Sequence, residues 1–293
     1  MKKLKKIRTF YFSPAGTTKA VAEYFTEALA KNLKLPFAVT SYTLPEERLS
    51  GYEFSDDELV VWASPVYAGR IPNKTLDFVK AAINGSSTLA IPIVVYGNRS
   101  FDNALSELIG IMKDNGCRPI AAAAIVARHS FSDTLAKGRP DEEDFALLDG
   151  LAEKAVEKLL YRETAGKLYC SDVADELCCS EARDCVSVPG QEHPEKYYVP
   201  LKEDLTPAKF LKAKPKVNRE LCTGCSTCRA VCPMGSIAME DGIPAFSGIC
   251  IKCQACRRTC PNAAIYFDDA EFLSHVKMVE KNYGERKKSE IFV

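Results

Sequence analysis

Residues 222–233 read CTGCSTCRAVCP and residues 250–261 read CIKCQACRRTCP, two runs with the one spacing C-x2-C-x2-C-x3-C-P. Eight of the chain's 13 cysteines lie in these runs. The spacing is that of a bacterial iron–sulfur motif. A cubane of iron and sulfide needs four thiolates arriving from different directions. Three closely spaced cysteines wrap one side, and a distant fourth closes the other. Pairs of the form C-x2-C also bind zinc. A zinc ribbon, however, uses two pairs rather than two quartets each followed by proline.

Over residues 217–268 this stretch resembles bacterial two-cluster ferredoxins. The resemblance implies crosswise ligation, in which the fourth cysteine of each run serves the other cluster. One [4Fe-4S] cluster would then take Cys222, Cys225, Cys228 and Cys260, and the second Cys250, Cys253, Cys256 and Cys232.

The chain has 293 residues, enough for two domains. It is 46% hydrophobic, and its 39 Lys plus Arg balance 39 Asp plus Glu. No bias therefore points to nucleic acid or to a membrane surface. The basic start, Lys2 to Arg8, is followed by no apolar run long enough for a signal peptide. No stretch approaches the roughly 20 apolar residues of a spanning helix. Cysteines kept for metal point to a reducing cytoplasm and to an anaerobic or oxygen-protected setting.

Towards the N-terminus the chain alternates strand and helix patterns. Strands are expected at Ile7–Phe12, Phe37–Tyr42, Leu59–Ala63, up to Tyr96, and at Ile120–Ala127. Pro92 is expected at or before the start of the fourth strand, because proline cannot donate in a central ladder. Helices follow on apolar faces such as Val21, Phe25 and Leu29, with Asn73 expected to cap the second. The last helix is expected over Asp141–Leu160. This alternation means an α/β fold with a doubly wound parallel sheet. Ligands of such sheets sit beyond the C-terminal strand ends. Three loops leave those ends, at 13–18, 64–71 and 97–103. The first is a hydroxyl- and glycine-rich loop opening a helix, which makes an anion site or a plainly capped helix start.

The three loops together resemble those of flavodoxins, with strand order 2-1-3-4-5. Ala15 departs from that pattern, since flavodoxins commonly carry a hydroxyl residue there. The resemblance implies an FMN whose phosphate is held by Ser13, Gly16, Thr17 and Thr18. Pro65, Val66, Tyr67 and Gly69 would line one edge of the flavin, and Asn98, Arg99, Phe101 and Asp102 the other. Arg70 and Arg99 would be cations near it or solvated side chains, and Tyr67 and Phe101 flavin contacts or ordinary packing. The whole chain resembles fusions of a flavodoxin-like domain with a two-cluster ferredoxin domain, a likeness that reaches the segments 128–132 and 136–141. His129 and Tyr67 are the candidate catalytic proton donors, although a loop histidine bonded to backbone reads the same way. Asp133 and Arg139 are expected to hold that loop as an ion pair.

The expected division is a flavodoxin-like FMN-binding domain over 1–164, a linker over 165–216, the ferredoxin domain over 217–268 and a helical tail over 269–293. Five prolines from Pro189 to Pro215 make the linker extended. Its Cys170, Cys178, Cys179 and Cys185 form a third metal site or, since neighbouring Cys178 and Cys179 diverge and the spacing matches no known site, stand as buried or free thiols; Cys117 is read as a small core residue. Asp241-Gly242 is expected to turn a hairpin. Charges in the ferredoxin domain nearly cancel, so its docking surface suits its own flavodoxin-like partner domain or a less basic protein.

No dinucleotide fingerprint is present, so electrons are expected from or to another redox protein or a small-molecule acceptor. The principal expectation is an electron carrier that passes single electrons between two [4Fe-4S] clusters and FMN. One alternative is a reductase of a quinone or unsaturated compound at FMN. Another is a redox sensor or assembly partner with structural clusters. The sequence leaves open whether a homodimer brings the domains together.

Overall fold

The computed structural model describes residues 3–48, 51–169 and 186–293. Five parallel strands form the centre: β1 (Lys6–Tyr11), β2 (Phe37–Ser41), β3 (Glu58–Pro65), β4 (Thr88–Tyr96) and β5 (Ala122–Val126). Their order across the sheet is β2-β1-β3-β4-β5. Helices α1 (Thr17–Leu33) and α4 (Glu142–Tyr169) cover one face. Helices α2 (Asn73–Ala82) and α3 (Ala104–Asp114) cover the other. Every residue of β4 is buried, as a strand sandwiched between helix layers requires.

Two local expectations are corrected. Pro92 lies in the middle of β4, opposite Trp62 of β3. It is tolerated because the other side of β4 pairs in two pieces: Thr88–Ala90 with the short strand Cys117–Pro119, and Ile93–Tyr96 with β5. The Ala90 carbonyl receives Ile120 N–H on that side, and Pro92 points the same way in the alternation. Its missing N–H therefore falls in the gap between the two pieces. Helix α2, second, starts at Asn73 itself, with Pro72 at the cap and no side-chain cap bond.

Helix α4 runs to Tyr169, past the boundary expected at 164. Cys170, Cys178, Cys179 and Cys185 lie outside the described residues. From Val186 the chain crosses the first domain in extended form. Val186 N–H bonds Pro119 O, Glu192 pairs with Lys113, and Tyr198 N–H bonds Ala68 O at 2.8 Å.

The cysteine-rich region is small. β6 (Lys216–Val217) pairs antiparallel with β9 (Ile265–Tyr266). Between them stand the hairpin β7 (Ala238–Glu240)–β8 (Ile243–Ala245) and the short helices α5 (Thr227–Ala230) and α6 (Ala255–Thr259). Asp241 and Gly242 turn the hairpin with φ of 48° and 77°, the two left-handed residues of a type I′ turn. Helix α7 (Ala270–Asn282) follows, capped by the Asp269 carboxylate on Phe272 N–H. The chain then returns to the first domain. β10 (Glu290–Phe292) adds antiparallel to β5 and extends the main sheet. No helix among the described residues is long and apolar enough to cross a membrane.

Candidate electron-transfer site at the domain junction

The structure gathers the cysteines into two rings. Cys222, Cys225, Cys228 and Cys260 surround one small cavity, and Cys232, Cys250, Cys253 and Cys256 another. These are the crosswise sets. Among the described residues, no three His, Cys, Asp or Glu side chains converge on a point fit for a single metal ion. Each quartet instead rings a space, which suits a polynuclear cluster better than one tetrahedral zinc. Backbone amides supply N–H···S bonds in matching positions: Ser236 to Cys232 at 3.4 Å and Ala264 to Cys260 at 3.3 Å. The rings differ in setting. Cys225 is exposed, whereas Cys253 and Cys256 are buried.

The second ring adjoins a cavity of ≈ 860 Å³ between the domains. The Tyr67–Gly69 loop and Gly97 form one wall, and Cys250 and Ile251 belong to the other. A smaller hollow, lined by Ser13, Thr17, Thr18 and Pro65, shares Val66, Tyr67, Gly97 and His129 with the large one. The loop after β1 and the cleft at the cluster thus border adjacent hollows with a common wall. Gly16 caps α1 with φ of 90°, a left-handed turn that glycine allows. Ser13 Oγ receives Lys19 N–H at 2.9 Å. The turn Tyr67–Arg70 is closed by two backbone hydrogen bonds with Ala68 and Gly69 left-handed. A Cβ on Gly69 would stand 2.2 Å from Asp102 Oδ2, so the two loops meet only because a glycine is there.

Several residues expected at the recess serve elsewhere. Asn98 is buried and holds the C-terminal tail, donating to Tyr283 O and Glu285 O and accepting from Lys287 N–H. Phe101 packs edge-on against Tyr96. Asp102 pairs with Arg99. Of that loop's expected contacts only Arg99 lines the cavity, its guanidinium 3.9 Å from the Tyr198 ring centroid. Arg70 is buried against Glu107 rather than facing a ligand. The sequence reading passed over Tyr197, Tyr198, Phe210 and His275, all of which line the cavity. The adjacent tyrosines in a proline-rich segment were the available signal.

Phe131 N–H donates to His129 Nδ1 at 3.2 Å, so the neutral ring carries its proton on Nε2. Burial, with help from His275, Arg99 and Arg258, pushes the imidazole down to about 3. It is neutral at pH 7, which removes the imidazolium that a proton-donor role would need. Burial and the neighbouring sulfurs of Cys253 and Cys250 push the Tyr67 phenol well above its usual range. Both side chains are therefore neutral hydrogen-bonding groups at pH 7.

The domains are clamped beside this recess. Arg258 donates to the carbonyls of His129, Ser130 and Ser132, and Arg257 pairs with Asp133 at 2.6 Å. Asp133 thus reaches across the junction, while Arg139 pairs with Asp144 inside the first domain. Elsewhere Arg48 donates to Pro233 O.

The model of a 4Fe-4S binding domain family matches residues 215–238, and that of a second 4Fe-4S binding domain family matches residues 247–266. A comparison with curated proteins returns no match. Solved structures with a similar fold include a flavodoxin of Streptococcus pneumoniae TIGR4, at 16% identity and TM-score 0.39, covering 52% of this chain and 99% of that one. A flavodoxin from the domain Archaea has 17% identity and TM-score 0.37, covering 53% and 99%. Rubredoxin:oxygen oxidoreductase of Desulfovibrio gigas has 13% identity and TM-score 0.39, covering 55% of this chain and 37% of its own. The sheet order and the family matches together describe a flavodoxin-like α/β domain joined to a two-cluster ferredoxin-type region. Such a make-up is that of an iron–sulfur electron-transfer protein, which works with a redox partner.

Proposed function

We propose that this chain conducts single electrons between a redox partner and an FMN, by way of two [4Fe-4S] clusters in series. The observation that carries the reading is the shared cavity: its walls combine the strand-end loops of the first domain with Cys250 of the second cysteine ring. The residues present fit both groups. Each quartet offers four thiols around a space. The smaller hollow offers the hydroxyls of the loop after β1, and the larger one a broad slot that includes Tyr67, Tyr197, Tyr198 and Phe210, within the few-hundred to ~1,000 Å³ usual for ligand sites.

Cys222, Cys225, Cys228 and Cys260 would hold the outer cluster, with Cys225 at the surface where a partner can approach. Cys232, Cys250, Cys253 and Cys256 would hold the inner one. Ser13, Thr17 and Thr18 would bind the FMN phosphate, and Tyr67, Gly69 and Gly97 would border the ring. FMN supplies the exchange between one-electron and two-electron chemistry. Arg257 and Arg258 keep the inner ring against the recess, and buried Cys253 and Cys256 exclude water from it.

Anaerobic preparation followed by iron, sulfide and flavin analysis is expected to give about eight irons per chain and one FMN. Zinc in place of iron overturns the reading. Thr17→Ala with Thr18→Ala is expected to weaken FMN binding about tenfold or more by titration, through loss of two hydroxyl contacts. Unchanged affinity places the phosphate elsewhere.

A further inference from the structure

The cavity extends beyond the loops that would border a flavin. Its remaining wall is formed by the extended segment and the cysteine-rich region, and its charge is one-sided. Lys74, Arg99, Lys212, Lys214 and Lys252 line it, and no aspartate or glutamate among the described residues does. Arg99 is offset by Asp102. Lys214 and Lys252 donate to the carbonyls of Ser247 and Leu211, and Lys252 also stands near Cys250 and Asp269. Lys74 and Lys212 are exposed and make no ion pair among the described residues. None of these cations lines the hollow by the hydroxyl loop, so a phosphate bound there would not be their counter-ion. Apolar surface accompanies them: Leu211 is 90% exposed and Ile249 52%, and both line the cavity.

Positive charge in a recess with low-dielectric walls concentrates anions. An aromatic and aliphatic lining favours an apolar body. We infer that the cavity binds a small organic anion, a carboxylate carried on an unsaturated or aromatic frame. An acidic partner protein suits this place less well. The lysines border a concave cleft, a shape that admits a small molecule more readily than a protein surface. The inference rests on the reading that a flavin occupies the loop side of these adjoining hollows, which would set the anion beside it.

The test uses the full chain loaded with clusters and FMN. Benzoate and cinnamate are titrated against benzamide and cinnamamide, which have the same shape without the charge. Binding is followed by calorimetry and by the flavin difference spectrum. The acids are expected to bind about tenfold tighter than the amides, with affinity falling as salt rises. Lys74→Ala with Lys212→Ala is expected to cut acid affinity about tenfold while leaving amide affinity, FMN content and iron content unchanged. Both lysines are exposed, so the fold is not at stake. Equal binding of acid and amide, or acid binding indifferent to the double substitution, overturns the inference. If FMN does not bind, the flavin reading fails separately. The calorimetric comparison on the flavin-free chain then decides the anion site, with the same two outcomes.

Discussion

The two cysteine runs share a spacing and, in the fold, a backbone. Gly224 and Lys252 occupy equivalent positions with φ of 70° and 56°, and Ser226 and Gln254 do so with 60° and 64°. The amide four residues after each fourth cysteine donates to its sulfur. Their surroundings differ, although Cys228 and its counterpart Cys256 are both buried. Cys225 is exposed; its counterpart Cys253 is 8% exposed. Arg258, which reaches three carbonyls of the other domain, has Ala230 as its counterpart. One repeated unit has thus become a surface terminal and an internal one. Burial and hydrogen bonding tune a cluster as much as its ligands do. The difference between the runs therefore gives the array a direction in space.

The largest effects test that direction. Cys228→Ala and Cys256→Ala are each expected to leave about four irons. Only Cys256→Ala should also abolish cluster-mediated reduction of the flavin by dithionite. Equal loss of flavin reduction in both would contradict the inner–outer order. Next comes the clamp. Arg258→Ala strands three carbonyls at the junction and is expected to cost about 2–4 kcal/mol in denaturant unfolding. Arg229→Ala, in the exposed run, should cost under about 0.5 kcal/mol. Similar costs would mean that the junction does not hold the domains.

A smaller effect depends on pH. His129 titrates at about 3 in the folded chain against an ordinary 6.5. Below pH 6.5 the unfolded chain takes up a proton that the folded chain refuses. The stability this histidine contributes is therefore complete above 6.5 and is lost as pH falls towards 3. Between pH 6.5 and 5 the loss is at most about 2 kcal/mol. His129→Asn should remove that part of the slope, and an unchanged slope would show that the imidazole is solvated. The smallest effect concerns the shared backbone. Gly224→Ala forces a Cβ into the left-handed region 2.9 Å from Gly242 O, at a cost of about 1–2 kcal/mol. A neutral result in thermal unfolding would mean that the loop shifts freely.

Much of the fold was legible because its signals are local. Buried runs such as Leu59–Ala63 and the faces of α1 and α3 repeat at the strand and helix periods. Asp241-Gly242 specified its own turn. Pro92 was misplaced because its fitness depends on a break in pairing with residues 117–126, which no local pattern announces. Asn98 stood in a loop suited to a flavin contact, but a tail nearly two hundred residues later claimed both ends of its amide. Asp133 had a plausible partner nearby in Arg139; the fold gave it Arg257 instead.

Sequence alone showed the two cysteine runs and the alternation of strands and helices. Thiolate spacing and hydrophobic periodicity act over a few residues and survive without knowledge of what lies opposite. Tertiary structure decided the rest: which run is buried, which cations gather at one cavity, and that the chain's end returns as β10 on the first domain's sheet. These depend on which surfaces meet. Desolvation and charge are properties of the assembled surface rather than of any one segment.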